Sequence, residues 1–83
     1  MGYPRPRPKH LAAKLLHIRH SLGLSQSQMV QRLGVDIDYN YISKYETNKN
    51  EPPLAVLLAY SRATGILVEQ MIDDGINPDS MTK

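Results

Sequence analysis

Tyr39, Asn40, Ser43 and Lys44 bring a phenol, an amide, a hydroxyl and an ammonium group close together in the chain. Groups of these types donate to and accept from base edges and phosphates, and they suit a major groove better than a reaction centre. The rest of the sequence agrees. It contains no nucleophile paired with a base and an orienting acid, no carboxylates at catalytic spacing and no glycine-rich phosphate loop, so enzymatic chemistry is not expected. Cysteine is absent, which removes disulfides, thiolate catalysis and cysteine-held metals. His17 and His20 stand three apart but have no Asp, Glu or Cys beside them to complete a metal site. They read as surface or boundary residues, and no cofactor is expected.

Two short helices and a turn must position those four side chains. Ser25 is a good N-cap, and Gln28 three residues later completes a capping box. Met29, Val30 and Leu33 then share a face before Gly34 ends a helix of about ten residues. Asp36 or Asp38 caps the next helix, in which Ile42 and Tyr45 point inward and Tyr39, Asn40, Ser43 and Lys44 outward. Tyr41, next to Ile42, is divided evenly between core and surface. Asn48 tolerates a left-handed C-cap, and Pro52 and Pro53 prevent continuation.

Around this pair the spacing predicts three more helices. Residues 9–22 carry Leu11, Leu15, Ile18 and Leu22 as a core stripe ended by Gly23. Residues 53–64 start with Pro53 at the first helical position and are apolar on most faces, as a central helix would be. Gly65 ends that helix, and residues 66–74 form a short last one with Ile66, Val68, Met71 and Ile72 as its apolar positions. No β-alternation survives anywhere. The organisation expected is a basic arm over residues 1–8, one domain over 9–76 and a frayed tail over 77–83.

The 83 residues carry a formal net charge of only +2, but it is unevenly spread. Arg5, Arg7, Lys9, Lys14 and Arg19 fill the start without an acid among them, whereas Glu69, Asp73, Asp74 and Asp79 face only Lys83 at the other end. Such a dipole can orient a protein on a polyanion, or it can be no more than two solvated ends. The PRPRP arm can follow phosphates, enter a minor groove, serve as a polyproline II ligand or have no role at all. No apolar run is long enough to cross a membrane and the start is unlike a signal peptide, so a cytoplasmic location is expected.

Leu24-Ser25-Gln26, Leu33-Gly34-Val35, Ile42-Ser43 with Tyr45-Glu46, Pro52, Leu57-Leu58 and Gly65 together carry a resemblance to the Cro and phage-repressor class of helix-turn-helix regulators, the XRE type. It covers about residues 9–73. The resemblance implies an all-α, five-helix repressor-like DNA-binding domain whose recognition helix, at about residues 39–47, enters the major groove. It implies that Gln26 meets phosphate or a base edge, and Gln28 is placed in the same DNA-binding set. Tyr39, Asn40, Ser43 and Lys44 match the base-contacting surface, and Thr47, Asn48, Lys49 and Asn50 the loop that grips the sugar-phosphate backbone. Arg19 and Glu46 match a structural salt bridge between the first and third helices, which takes both out of the DNA-contacting set.

Three departures stand out. The stretch between Val35 and Ile42 holds two more residues than the family's usual pattern. The insertion either lengthens the turn, with Asp38 as cap, or extends the recognition helix, with Asp36 as cap; Asp38 is favoured. Val30 replaces a small alanine, so the helices beside it should splay slightly. Leu67 stands where a capping serine or threonine usually opens the last helix.

The function expected is a sequence-specific transcriptional regulator, such as a repressor, that binds double-stranded DNA as a homodimer with contacts from residues 66–76. The alternative is a protein-interaction module of the same fold, an antitoxin-like partner or adaptor, whose binding would resist salt where DNA binding would not.

Overall fold

In the computed structural model, which describes residues 8–78, the chain forms five α-helices and, among those residues, no strand. Of the arm expected over residues 1–8 and the tail expected over 77–83, residues 1–7 and 79–83 lie outside the described residues.

The helix boundaries follow local chemistry. Helix α1 (Leu11–Leu22) ends on Gly23 at φ +71°, a left-handed conformation that glycine adopts without a Cβ penalty. Helix α2 (Gln26–Leu33) begins with the full capping box: Gln28 N–H donates to Ser25 Oγ at 3.1 Å and Ser25 N–H donates to Gln28 Oε1 at 2.8 Å. It is eight residues long against the ten or so expected, and it runs between the two ends that the sequence marks, Ser25 and the left-handed Gly34. Helix α3 (Tyr39–Glu46) is capped by Asp38, whose carboxylate accepts from Asn40 N–H at 2.8 Å. The inserted residues therefore lengthen the turn and leave the helix short, as favoured from the sequence.

Helix α4 (Leu54–Thr64) starts one residue later than expected. Pro53 is its extended N-cap and Leu54 its first helical residue. Helix α5 (Val68–Ile72) lacks a capping side chain, since leucine has no acceptor, but Gln70 Oε1 accepts from Leu67 N–H at 2.9 Å and supplies half of a box.

Helix α1 packs against α3 and α5, α2 against α3 and α4, and α4 against α5. The core they enclose holds Leu11, Leu15 and Ile18 from α1, Met29 and Leu33 from α2, Ile42 and Tyr45 from α3, Val56, Leu57 and Tyr60 from α4, and Met71 from α5. Each fully buried aliphatic side chain here contributes on the order of 1.5–3 kcal/mol through removal of its surface from water. Val30 is half-buried and packs against this cluster.

Two expectations about burial are corrected. Leu22, the last residue of α1, is 37% exposed. Helix α4 is not central: Leu54 is 73% exposed and Leu58 42%, so its outer strip is apolar yet faces solvent. Ile72 and Leu67 are likewise exposed.

Helices α1 and α5 are joined by a reciprocal clasp that their charges alone did not disclose. Asp74, just past α5, accepts Lys9 N–H at 3.0 Å and His10 N–H at 3.1 Å, so an acid from the end of the bundle serves amides at the start of α1. In return the fully buried Lys14 sends its ammonium to the α5 end, donating to Gln70 O at 2.8 Å and to Asp73 O. A cation at a helix C-terminus satisfies orphan carbonyls and complements the dipole. Lys14 is therefore not part of a free basic end, and Asp74 is not part of a free acidic one.

Candidate nucleic-acid interface

Glu46, the last residue of α3, organises the interface from beneath. Arg19 donates to it through Nε at 2.7 Å and Nη2 at 2.9 Å, a bidentate pair with the Glu46 side chain 3% exposed. Arg19 Nη1 donates to Leu24 O at 2.9 Å, which ties the loop before α2 to the same guanidinium. Its hydrogen bond to Glu46 holds the Arg19 pKa above its usual value, against the opposing effect of burial. Three elements thus meet at one ion pair: α1, the entry to α2 and the end of α3.

Gln26 joins this cluster. Its amide nitrogen lies 3.4 Å from Glu46 Oε1, a long hydrogen bond to the carboxylate that Arg19 neutralises. Gln26 is half-buried at the α2 N-terminus, where backbone amides face outward and favour an anion. Gln28 is exposed, with its Oε1 engaged by Ser25 N–H, so its position is set by the cap.

Helix α3 presents a mixed face. Tyr39, Asn40 and Lys44 are exposed and Ser43 is half-buried. Behind them Ile42 and Tyr45 are anchored in the core, which fixes the rotation of the helix. Tyr41 is 44% exposed, resolving its divided reading towards the surface. The Lys44 ammonium lies 5.4 Å from the Tyr41 ring centroid, and that ring lies 6.3 Å from Tyr45. A cation–π contact of this length restrains the lysine without neutralising it. Asp36 and Asp38 are both exposed, with Asp38 engaged as the cap at the edge of the face.

The loop after α3 folds back on the helix end. Lys49 N–H and Asn50 N–H both donate to Lys44 O, at 2.9 and 3.2 Å, and Asn48 adopts φ +62° to allow it. Asparagine is among the few residues besides glycine that enter this region readily. Lys49 and Asn50 expose their side chains, as does Asn48. Thr47 bonds back to the helix: its hydroxyl donates to Ser43 O at 2.8 Å and its N–H to the same oxygen at 3.0 Å. Thr47 thus closes the helix from an exposed position.

Outside this face, Tyr60 is fully buried with an unpartnered hydroxyl, and burial pushes its phenol pKa upward. Among the described residues no group of three or more His, Cys, Asp or Glu side chains has the geometry to hold a metal ion. The structural roles of Lys14 and Asp74, and the enclosure of the Tyr60 hydroxyl, were not legible in the sequence. No local pattern marks them, because their partners or enclosing residues are distant in the chain.

A short capped helix, a turn and a second helix with an outward polar face define a helix-turn-helix. The family model described as helix-turn-helix, of the XRE kind, matches residues 15–69, and the chain belongs to that family of DNA-binding rather than catalytic domains. No curated protein and no solved structure matches the chain.

Proposed function

We propose that the protein is a sequence-specific transcriptional regulator of the Cro and repressor kind, which reads double-stranded DNA by placing α3 in the major groove. The observation that carries this reading is the exposed set Tyr39, Asn40 and Lys44 on a helix whose rotation is held by Ile42, Tyr45 and the Arg19–Glu46 pair. Asn40 and Lys44 are the base-reading groups: an amide pairs with adenine and an ammonium with guanine. Lys49, Asn48 and Asn50 hold the adjoining backbone, and Gln26, with Gln28 beside it, faces a phosphate from the α2 N-terminus. Ser43 supplies a shorter polar contact at the rim.

One such helix buries too little surface for tight discrimination, so the working unit is a homodimer on two half-sites about one helical turn apart. Exposed Leu54, Leu67 and Ile72 at the start of α4 and around α5 supply apolar area for that contact, extending the expected region from α5 onto α4. No helix among the described residues is long and apolar enough to cross a membrane, and the proposed place of action is the cytoplasm.

Selection of bound duplexes from a random DNA pool at two salt concentrations tests the reading. A palindromic consensus whose affinity falls steeply with salt is the expected result. Failure to retain any duplex at low salt would reject it in favour of a protein-interaction module of the same fold.

A further inference from the structure

A second surface, separate from α3 and its following loop, has the form of a docking site. Between the end of α2 and the outer side of α4 lies a groove of about 440 Å³ whose lining includes no residue of α3 or of the loop after it. Its floor is apolar, formed by Val35, Leu58, Ala59 and Ala63, and the short alanine side chains leave the depth. Arg32 from the last turn of α2 and Arg62 from the last turn of α4 also line it. Both guanidiniums are exposed, and neither forms an ion pair or hydrogen bond among the described residues. The lining contains two cations and no carboxylate; Asp36, next to Val35 in the chain, is not part of it.

We infer that this groove takes a short acidic, amphipathic segment of a partner protein. The chemistry selects that occupant over a nucleic acid. A phosphate backbone is polar throughout and would leave Val35 and Leu58 facing charge, whereas a helix with leucine on one side and glutamate or aspartate beside it satisfies floor and rims together. Bidentate carboxylate pairing by Arg32 and Arg62 sets the orientation, and burial of Leu58 supplies affinity. The protein then holds DNA with α3 while a partner occupies the groove between α2 and α4, which shares no lining residue with α3, so the groove extends the regulatory reading without depending on it.

The test uses the full chain and a short fluorescent helical peptide bearing leucine on one face and glutamate on its flanks, with a lysine-flanked twin as control. Anisotropy should show binding of the glutamate peptide and none of the twin. R32E/R62E and, separately, Leu58→Gln should each weaken it by roughly tenfold or more, about 1.4 kcal/mol per decade. Circular dichroism checks that each variant is folded, and R32Q/R62Q replaces the charge reversal if that variant is not. Excess duplex DNA should leave the bound peptide in place. No binding, equal binding of both peptides, equal binding by R32E/R62E, or displacement by DNA would each overturn the proposal. So would sedimentation showing that the wild-type chain self-associates and R32E/R62E does not, because the groove would then be an interface between copies. Duplex selection reports on α3 independently, so failure here is distinguishable from failure of the DNA-binding reading.

Discussion

Arg19 and Glu46, 27 residues apart in the chain, meet through two hydrogen bonds of 2.7 and 2.9 Å with the carboxylate almost wholly enclosed. The pair fixes the end of the reading helix to α1, and through Leu24 O it also fixes the entry to α2. A buried pair of this type adds little net stability over an apolar replacement, but removing one partner strands the other. Glu46→Ala should therefore destabilise the fold by about 3 kcal/mol, the typical cost of breaking a buried pair. Thermal unfolding would then fall by roughly 12–24 °C for a domain of this size. An unchanged melting temperature would show that Arg19 is solvated after all.

Asp38 and Asp36 can be separated by a single comparison. Because Asp38 accepts from Asn40 N–H and Asp36 forms no cap, Asp38→Ala should cost about 1 kcal/mol and Asp36→Ala almost nothing. Urea unfolding of the two variants measures this directly, and the reverse order would mean that α3 starts earlier than described.

For Lys44, the informative quantity is how the loss depends on DNA sequence. If Lys44 reads a base, Lys44→Ala should weaken binding to the selected duplex by roughly 1–3 kcal/mol and relax preference at one position. A smaller loss, equal on all sequences and accompanied by a shallower salt dependence, would reassign it to the backbone. Titrations of matched and mismatched duplexes decide between these outcomes.

Asp74 should make stability sensitive to acid. Its hydrogen bonds from Lys9 N–H and His10 N–H lower its folded-state pKa below the ordinary 3.8. The unfolded chain then binds the proton first, so the stabilisation is present above pH 3.8 and is lost as pH falls through the lower folded value. Chemical unfolding across this acid range should show a steeper fall for the wild-type chain than for Asp74→Ala. Parallel curves would remove Asp74 from the clasp.

Tyr60 offers a change in the stabilising direction. Its hydroxyl is buried with no partner, and an unsatisfied buried group carries a penalty of about 1–3 kcal/mol. Tyr60→Phe retains the ring packing and should raise stability, on the order of 1 kcal/mol. A clear loss in calorimetry would instead reveal a bonded water at that hydroxyl.

Much of the bundle was legible because its punctuation is local. Ser25 with Gln28, Gly34, Asp38 with Asn40, and Gly65 act within a few residues of themselves, so the beginnings and ends of the helices follow from neighbours in the chain. The inward positions Ile42 and Tyr45 were also readable, since helical periodicity places them opposite Asn40 and Lys44. Where two local solutions were chemically equivalent, as with Asp36 and Asp38, the sequence named both candidates without excluding either.

By itself, then, the sequence determined the five-helix pattern, the Ser25–Gln28 box, the glycine stops and the outward polar set on α3, all products of interactions spanning about one helical turn. Only the tertiary structure decided that Lys14 would be buried against the end of α5, that Asp74 would serve the start of α1, and that Leu54 and Leu58 would face solvent. It alone placed Arg32 and Arg62 on one groove. Those outcomes depend on which distant surfaces meet once the helices pack, and helical periodicity specifies a face without specifying what covers it.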